Sequence, residues 1–110
     1  MTDPTSLSVL RLLAASPHLS QREVASSVGV SLGKANYCLR ALIAKGFVKA
    51  KNYRKSGNKL AYLYLLTPAG VAAKADLTRQ FLASKVKEYD ALRREIEGLE
   101  RERAFVAGVE

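Results

Sequence analysis

The chain has 110 residues, of which 48% are hydrophobic and 25% charged, and its formal net charge is +8. Length and composition are those of one small globular domain. The chain shows neither a secretory signal nor a long apolar run, which predicts a cytoplasmic protein. Cys38 and His18 are the only residues of their types, which excludes an internal disulfide and a Cys/His metal cluster. We therefore expect no metal and no cofactor.

The positive charge is concentrated in the first two thirds of the chain. Residues 1–67 carry ten Lys/Arg and two Asp/Glu (10 − 2 = +8), whereas residues 68–110 carry eight of each. No acidic residue occurs between Glu23 and Asp76. A basic module beside a balanced one is typical of a nucleic-acid binder. A solvated basic face kept for solubility is the alternative, but solubility alone would spread the charge.

Capping residues predict two short helices at the start of the chain. The first begins at Asp3-Pro4 and stops before Pro17. Its expected core residues, at helical spacing, are Leu7, Leu10, Leu13 and Ala14. Ser20 and Glu23 form a capping box that opens the second helix, which ends at Gly29.

A third helix and a β-hairpin are predicted next. Ser31 caps a helix that runs to Lys45, and Gly46 follows where a left-handed residue is needed. Two runs rich in Tyr, Val and Leu, residues 47–53 and 60–66, flank a basic, turn-forming tip. This order predicts a mainly α fold with a small β-hairpin, namely a winged helix-turn-helix.

One long helix is predicted for the last part of the chain. Thr67-Pro68 opens it, and no later proline interrupts it before about Arg103. We therefore expect a DNA-binding domain at residues 1–67 and a dimerisation helix at residues 68–110. The apolar residues predicted to form a coiled-coil-like homodimer are Leu82, Tyr89, Leu92, Ile96 and Leu99, with Val106 beyond them. The alternative is that this helix folds back on its own domain.

The third helix has two contrasting faces on a helical wheel. Its expected core side comprises Leu32, Ala35, Cys38, Leu39, Leu42 and Ile43. Arg and Asn read guanine and adenine in the major groove, and a helix N-terminus holds phosphate. The predicted DNA-contacting residues of this helix are Ser31, Gly33, Lys34, Asn36, Tyr37 and Arg40. A packing role is the alternative for Tyr37, and for Cys38 a core role is favoured over redox sensing.

The hairpin is predicted to add backbone and minor-groove contacts. Arg54, Lys55 and Lys59 lie at its tip, where a wing would reach the minor groove. Lys49 and Lys51 alternate along the first strand and are expected to contact phosphates.

Several segments resemble the MarR family of bacterial transcription regulators, most closely its short exopolysaccharide-associated (EPS) branch. They are Ser20–Ala25, VSLGKANYCLRALIAKGFVK (30–49), Asn58-Lys59, YLYLLTPAG (62–70), LTRQFL (77–82) and KEYDALRREI (87–96). The resemblance implies a dimeric winged-helix protein that binds pseudo-palindromic promoter DNA through the helix and wing residues named above. Typical members are longer and carry an effector pocket, so no small-molecule effector is assigned.

Two other functions stay open from the sequence. A winged helix can serve as a protein-interaction module. Tyr53, Tyr62 and Tyr64 could supply a stacking platform for RNA or single-stranded DNA, although Tyr62 and Tyr64 are expected to pack in or flank the hairpin. We do not expect an enzyme, because the sequence offers no nucleophile–base pair and no phosphate-binding glycine loop.

Overall fold

The computed structural model describes residues 4–54 and 60–109. Its elements, in chain order, are α1 (Pro4–Ala15), α2 (Gln21–Val28), α3 (Leu32–Ala44), β1 (Val48–Arg54), β2 (Leu60–Leu66) and α4 (Pro68–Val109). The predicted fold class is confirmed: the described residues are mostly helical, with one two-stranded sheet and a long last helix.

The helix boundaries follow from local capping. Ser20 Oγ accepts the Glu23 amide at 3.2 Å, and Glu23 Oε1 accepts the Ser20 amide at 2.9 Å, which completes the capping box of α2. Gly29 and Gly46 have φ angles of 79° and 80°, so each occupies the left-handed conformation that glycine adopts without strain. Thr67 Oγ1 accepts the Gly70 amide at 3.0 Å at the start of α4.

One core joins the helices to the hairpin. Its buried residues are Val9, Leu10, Leu13, Val24, Cys38, Leu39, Leu42, Val48 and Tyr64. Two predicted core positions are wrong: Ala14 is exposed, and Leu32 is 42% exposed. A helical wheel assigns a face by angle alone, whereas Leu32 is the first residue of α3 and Ala14 the second-last of α1. A side chain at the end of a helix can lie beyond the neighbouring elements that cover the same face in the middle of the helix, and it is then exposed.

The hairpin is antiparallel, and its inner strand has a second neighbour. In the register, Lys49 pairs with Leu65 and Lys51 with Leu63. On the other side of β2, the Tyr64 amide donates to the Leu19 carbonyl at 2.9 Å, and the His18 amide donates to the Tyr64 carbonyl at 3.2 Å. Thus β2 lies between β1 and the segment that precedes α2.

The chain divides into two compact units, Met1–Thr78 and Arg79–Glu110. In the first unit, Ala73 and Leu77 of α4 pack against the core. Gly70 also belongs to this packing, because a Cβ there would meet the backbone carbonyl of Phe47. In the second unit, residues 79–109 form one continuous stretch of α4.

Candidate nucleic-acid interface

The outward face of α3 carries the predicted contact residues. Gly33, Lys34 and Arg40 are exposed, and Asn36 is half-buried. Tyr37 is 77% exposed, so its ring does not pack at the junction with the wing. The buried side of α3 holds the face in place through Ala35, Cys38, Leu39 and Leu42. The result is a small, basic and hydrogen-bonding surface on the second helix of the helix-turn-helix.

The N-terminus of α3 offers a limited set of backbone donors. Ser31 Oγ accepts the Lys34 amide at 3.1 Å, and the Ser31 carbonyl accepts the Ala35 amide at 3.0 Å. These bonds occupy two amides, so an anion at this end would have to be held by the amides of Leu32 and Gly33.

A side chain of α2 fixes the start of α3. Gln21 Nε2 donates to the Leu32 carbonyl at 3.4 Å and so joins the first residues of the two helices. Sequence reasoning missed this contact. A Gln at the first helical position is compatible with many partners, and only the fold brings Leu32 beside it.

The first strand of the wing presents two exposed lysines. Lys49 and Lys51 lie on one face of β1, and Val48, which has the opposite orientation, is buried in the core. Their cross-strand partners Leu65 and Leu63 are half-buried. The lysine face is thus the outer face of the sheet.

The predicted tip contacts of the wing are Arg54, Lys55 and Lys59. Lys55 and Lys59 lie outside the described residues, as does the side chain of Arg54, whose backbone closes β1.

Cys38 is a core residue. It is buried, and its Sγ lies 3.6 Å from Ser6 Oγ, within hydrogen-bonding distance. Redox-sensing thiols are accessible to solvent. Burial therefore favours the structural role for Cys38.

The predicted dimerisation residues form an exposed stripe on α4. Leu82, Tyr89, Leu92, Ile96 and Leu99 are each between 47% and 62% exposed. These fractions are large for apolar side chains at regular helical spacing.

Comparison with known proteins agrees with this geometry. Residues 2–49 match a family model described as winged helix-turn-helix DNA-binding. The fold is a winged helix-turn-helix. No curated protein matches the chain. No described helix of this winged-helix protein combines the length and apolar character needed to cross a membrane.

Solved structures of transcriptional regulators share the winged-helix fold. A protein described as a transcriptional regulator from Thermoplasma acidophilum has a TM-score of 0.71 at 19% identity, covering 80% of this chain and 89% of its own. A MarR family regulator from Silicibacter pomeroyi has a TM-score of 0.63 at 22% identity, and the match covers 80% of this chain and 57% of the regulator. PadR from Bacillus subtilis, solved with operator DNA, has a TM-score of 0.59 at 19% identity, and the match covers 64% of this chain and 44% of PadR. At such identities the likeness establishes the fold alone.

Proposed function

We propose that this chain is a sequence-specific, double-stranded DNA-binding transcriptional regulator that acts as a homodimer. The observation that carries the proposal is the outward face of α3, where Lys34, Tyr37 and Arg40 are exposed and no acidic residue is present. On the second helix of a helix-turn-helix, such a face fits the major groove. The match of residues 2–49 to a winged helix-turn-helix DNA-binding model supports it.

Each group of basic residues has a proposed role. Arg40 and Asn36 read base edges, with Tyr37 and Lys34 beside them. Gly33 and Ser31 allow the backbone at the start of α3 to approach a phosphate. Lys49 and Lys51 contact phosphates from the outer face of β1. The tip residues Arg54, Lys55 and Lys59 are proposed, from the sequence alone, to reach the backbone or the minor groove.

The homodimer is proposed to form through the exposed stripe of α4. A leucine or isoleucine moved from water into an interface contributes about 1.5–3 kcal/mol when fully buried. Truncation after Arg79 removes the stripe but keeps Leu77, the last residue that packs on the core. The truncated protein should be monomeric in analytical ultracentrifugation. A well-behaved dimer would place the interface elsewhere.

Regulatory DNA binding is tested by a titration with duplex DNA at several salt concentrations. About 6–10 phosphate contacts per dimer would lower the affinity by about 10³–10⁵ between 50 and 200 mM salt. A flat response would favour the protein-interaction module. Preferential competition by single strands would favour the RNA or single-strand binder.

The operator is best sought upstream of the protein's own gene, because regulators of this type frequently bind near their own genes. Footprinting there should protect two half-sites about one helical turn apart, or a multiple of it. A cytoplasmic location and the absence of catalysis follow from the proposal. Membership of the MarR family, and of its exopolysaccharide-associated branch, is proposed from the sequence resemblance.

A further inference from the structure

The exposed stripe of α4 has the heptad pattern of a coiled coil. Leu82, Tyr89 and Ile96 take the a positions of the heptad, and Leu92, Leu99 and Val106 take the d positions. All six side chains are exposed along one uninterrupted helix. The two helices of the proposed homodimer could run in the same direction or in opposite directions. The residues at the e and g positions, which flank the stripe, distinguish the two arrangements.

Apolar burial does not decide the direction. In a parallel pair in register, each of the six residues meets its own copy. In an antiparallel pair, one register keeps the same six layers: Leu82 meets the partner's Val106, Tyr89 meets Leu99, and Leu92 meets Ile96. The charged stripe positions Lys85 and Arg103 face like charge in both arrangements. Both directions therefore cover similar apolar surface.

The order of branched residues at the centre of the stripe suits a two-stranded coiled coil. At the centre of the stripe, Ile96 occupies an a position between Leu92 and Leu99 at d positions. Among parallel coiled coils, a β-branched residue at a with leucine at d is the combination that favours two strands over three or four.

The flanking charges favour the parallel direction. In a parallel pair, Glu88 at a g position faces the partner's Arg93 at an e position, which gives two attractive contacts per dimer. Glu95 then faces the partner's Glu100, which is repulsive. In the antiparallel register, Glu88 faces the partner's Glu102, and Glu95 and Arg93 each face their own copies, so every charged contact is repulsive.

Contacts within one helix link Glu88 and Arg93 each to a further charged side chain. Lys85 Nζ lies 3.5 Å from Glu88 Oε1, so the ammonium group is directed away from the stripe towards its g flank. Arg93 Nε lies 3.5 Å from Glu97 Oε2 on the e flank. Glu88 and the partner's Arg93 would therefore meet as members of a four-residue charge network.

From these observations we infer that the dimer of this chain is a parallel, in-register coiled coil of residues 82–106. The inference rests on the proposed homodimer. Because the two chains run in the same direction, both DNA-binding units join the helix pair at the same end. In the antiparallel register the two copies of Leu82 would be about 36 Å apart along the helix axis, at ~1.5 Å per residue.

Charge-reversal variants of the full chain test the direction. In a parallel dimer, Glu88→Arg and Arg93→Glu should each raise the dimer dissociation constant, by roughly three- to tenfold for two exposed pairs. The double variant Glu88→Arg/Arg93→Glu should have a lower dissociation constant than either single variant, but a higher one than wild type, because the reversed charges lie beside Lys85 and Glu97 of their own helix. Asp90→Arg, an equal charge change at a b position away from the stripe, is the matched control and should leave it unchanged.

The opposite sign would overturn the inference. In the antiparallel register Glu88→Arg would face the partner's Glu102, so the dimer would tighten, and adding Arg93→Glu would not reverse that tightening. Sedimentation of the wild-type chain separates the two proposals. A monomer would contradict the homodimer itself, whereas a dimer that tightens with Glu88→Arg contradicts only the parallel direction.

Disulfide cross-linking gives an independent measurement. A disulfide requires Cα atoms within about 7 Å. Lys85→Cys should form linked dimers on oxidation, because residue 85 faces its own copy in a parallel pair. In the antiparallel register the two copies are about 27 Å apart along the axis, and only a mixture of Lys85→Cys and Arg103→Cys chains would give a linked heterodimer. The wild-type chain, with Cys38 buried, is the control and should remain unlinked.

Discussion

The Thr67 hydroxyl donates a 2.6 Å hydrogen bond to the carbonyl oxygen of Gly46. The same hydroxyl accepts the Gly70 amide at 3.0 Å, and the Thr67 amide donates to the Phe47 carbonyl at 3.0 Å. One residue thus caps α4 and binds the turn between α3 and β1. We expect Thr67→Val to lower the free energy of unfolding by about 0.5–2 kcal/mol, the usual cost of losing a cap. Urea denaturation measures this, and Thr67→Ser, which keeps the hydroxyl, should lose clearly less.

Gly70 and Gly98 should respond in opposite ways to substitution by alanine. Both lie in α4, where replacing glycine with alanine normally stabilises a helix by about 1 kcal/mol. At Gly70 the new Cβ would collide with the Phe47 carbonyl, so Gly70→Ala should destabilise the first unit. At Gly98 the nearest atom is Arg101 Nη2 at 3.8 Å, and Gly98→Ala should stabilise the helix. Denaturation curves that moved in the same direction would contradict the close packing of Gly70.

Arg40 and Lys51 are expected to contribute differently to DNA recognition. Arg40→Ala should cost about 1–3 kcal/mol at the operator and relax the preference at one base position per half-site. Lys51→Ala should weaken operator and random DNA nearly equally and reduce the salt slope by about one unit for each phosphate that is no longer neutralised. Titration of both variants against a randomised operator library distinguishes the roles. If Arg40→Ala had the same sequence preference as wild type, Arg40 would not contact a base edge.

Leu99 and Phe105 separate the dimer stripe from the rest of α4. They are 60% and 72% exposed, but only Leu99 occupies a heptad core position. Leu99→Ala should raise the dimer dissociation constant by at least about a hundredfold, because each dimer loses two leucine side chains worth about 1.5–3 kcal/mol apiece. Phe105→Ala should leave it nearly unchanged. Equal effects in sedimentation equilibrium would argue against the assigned heptad.

Tyr64 should make the fold sensitive to alkaline pH. Burial, and to a lesser extent the neighbouring Tyr62, raises the pKa of the Tyr64 hydroxyl above its ordinary value. Because the folded-state pKa is the higher one, the stabilisation is complete below the unfolded-state pKa of about 10 and is lost as pH rises through the folded-state pKa. Tyr64→Phe should therefore lose less stability than wild type between neutral pH and pH values above 10. If the free energies of unfolding of the two proteins fell equally over this pH range, the Tyr64 hydroxyl would not be the cause of the pH dependence.

Sequence reasoning succeeded where the physical cause is local. The capping box of Ser20 and Glu23, the Ser31 cap and the left-handed Gly46 each depend on residues within one turn of the chain. The exposed face of α3 was also predictable, because the helical period and the burial of Leu39 and Leu42 determine the opposite side. Whether that face contacts DNA stays a prediction.

The features that sequence reasoning missed depend on distant partners. The pairing of Leu19 with Tyr64 is a single bridge and leaves no periodic pattern. The need for glycine at position 70 arises from Phe47, which lies in another element. The exposure of Leu32 depends on where its neighbours end along the helix axis, and a sequence period does not contain that information.

The double pairing of Tyr64 has a consequence for how this protein can evolve. Its strand is hydrogen-bonded on one side to β1 and on the other to the segment that leads into α2. The base of the wing and the segment before α2 are therefore joined by backbone hydrogen bonds of Tyr64. A shift of either one relative to the other would break those hydrogen bonds. Under the proposed function, new DNA preferences in descendants of this chain would arise more readily by exchange of side chains on α3 than by movement of the wing.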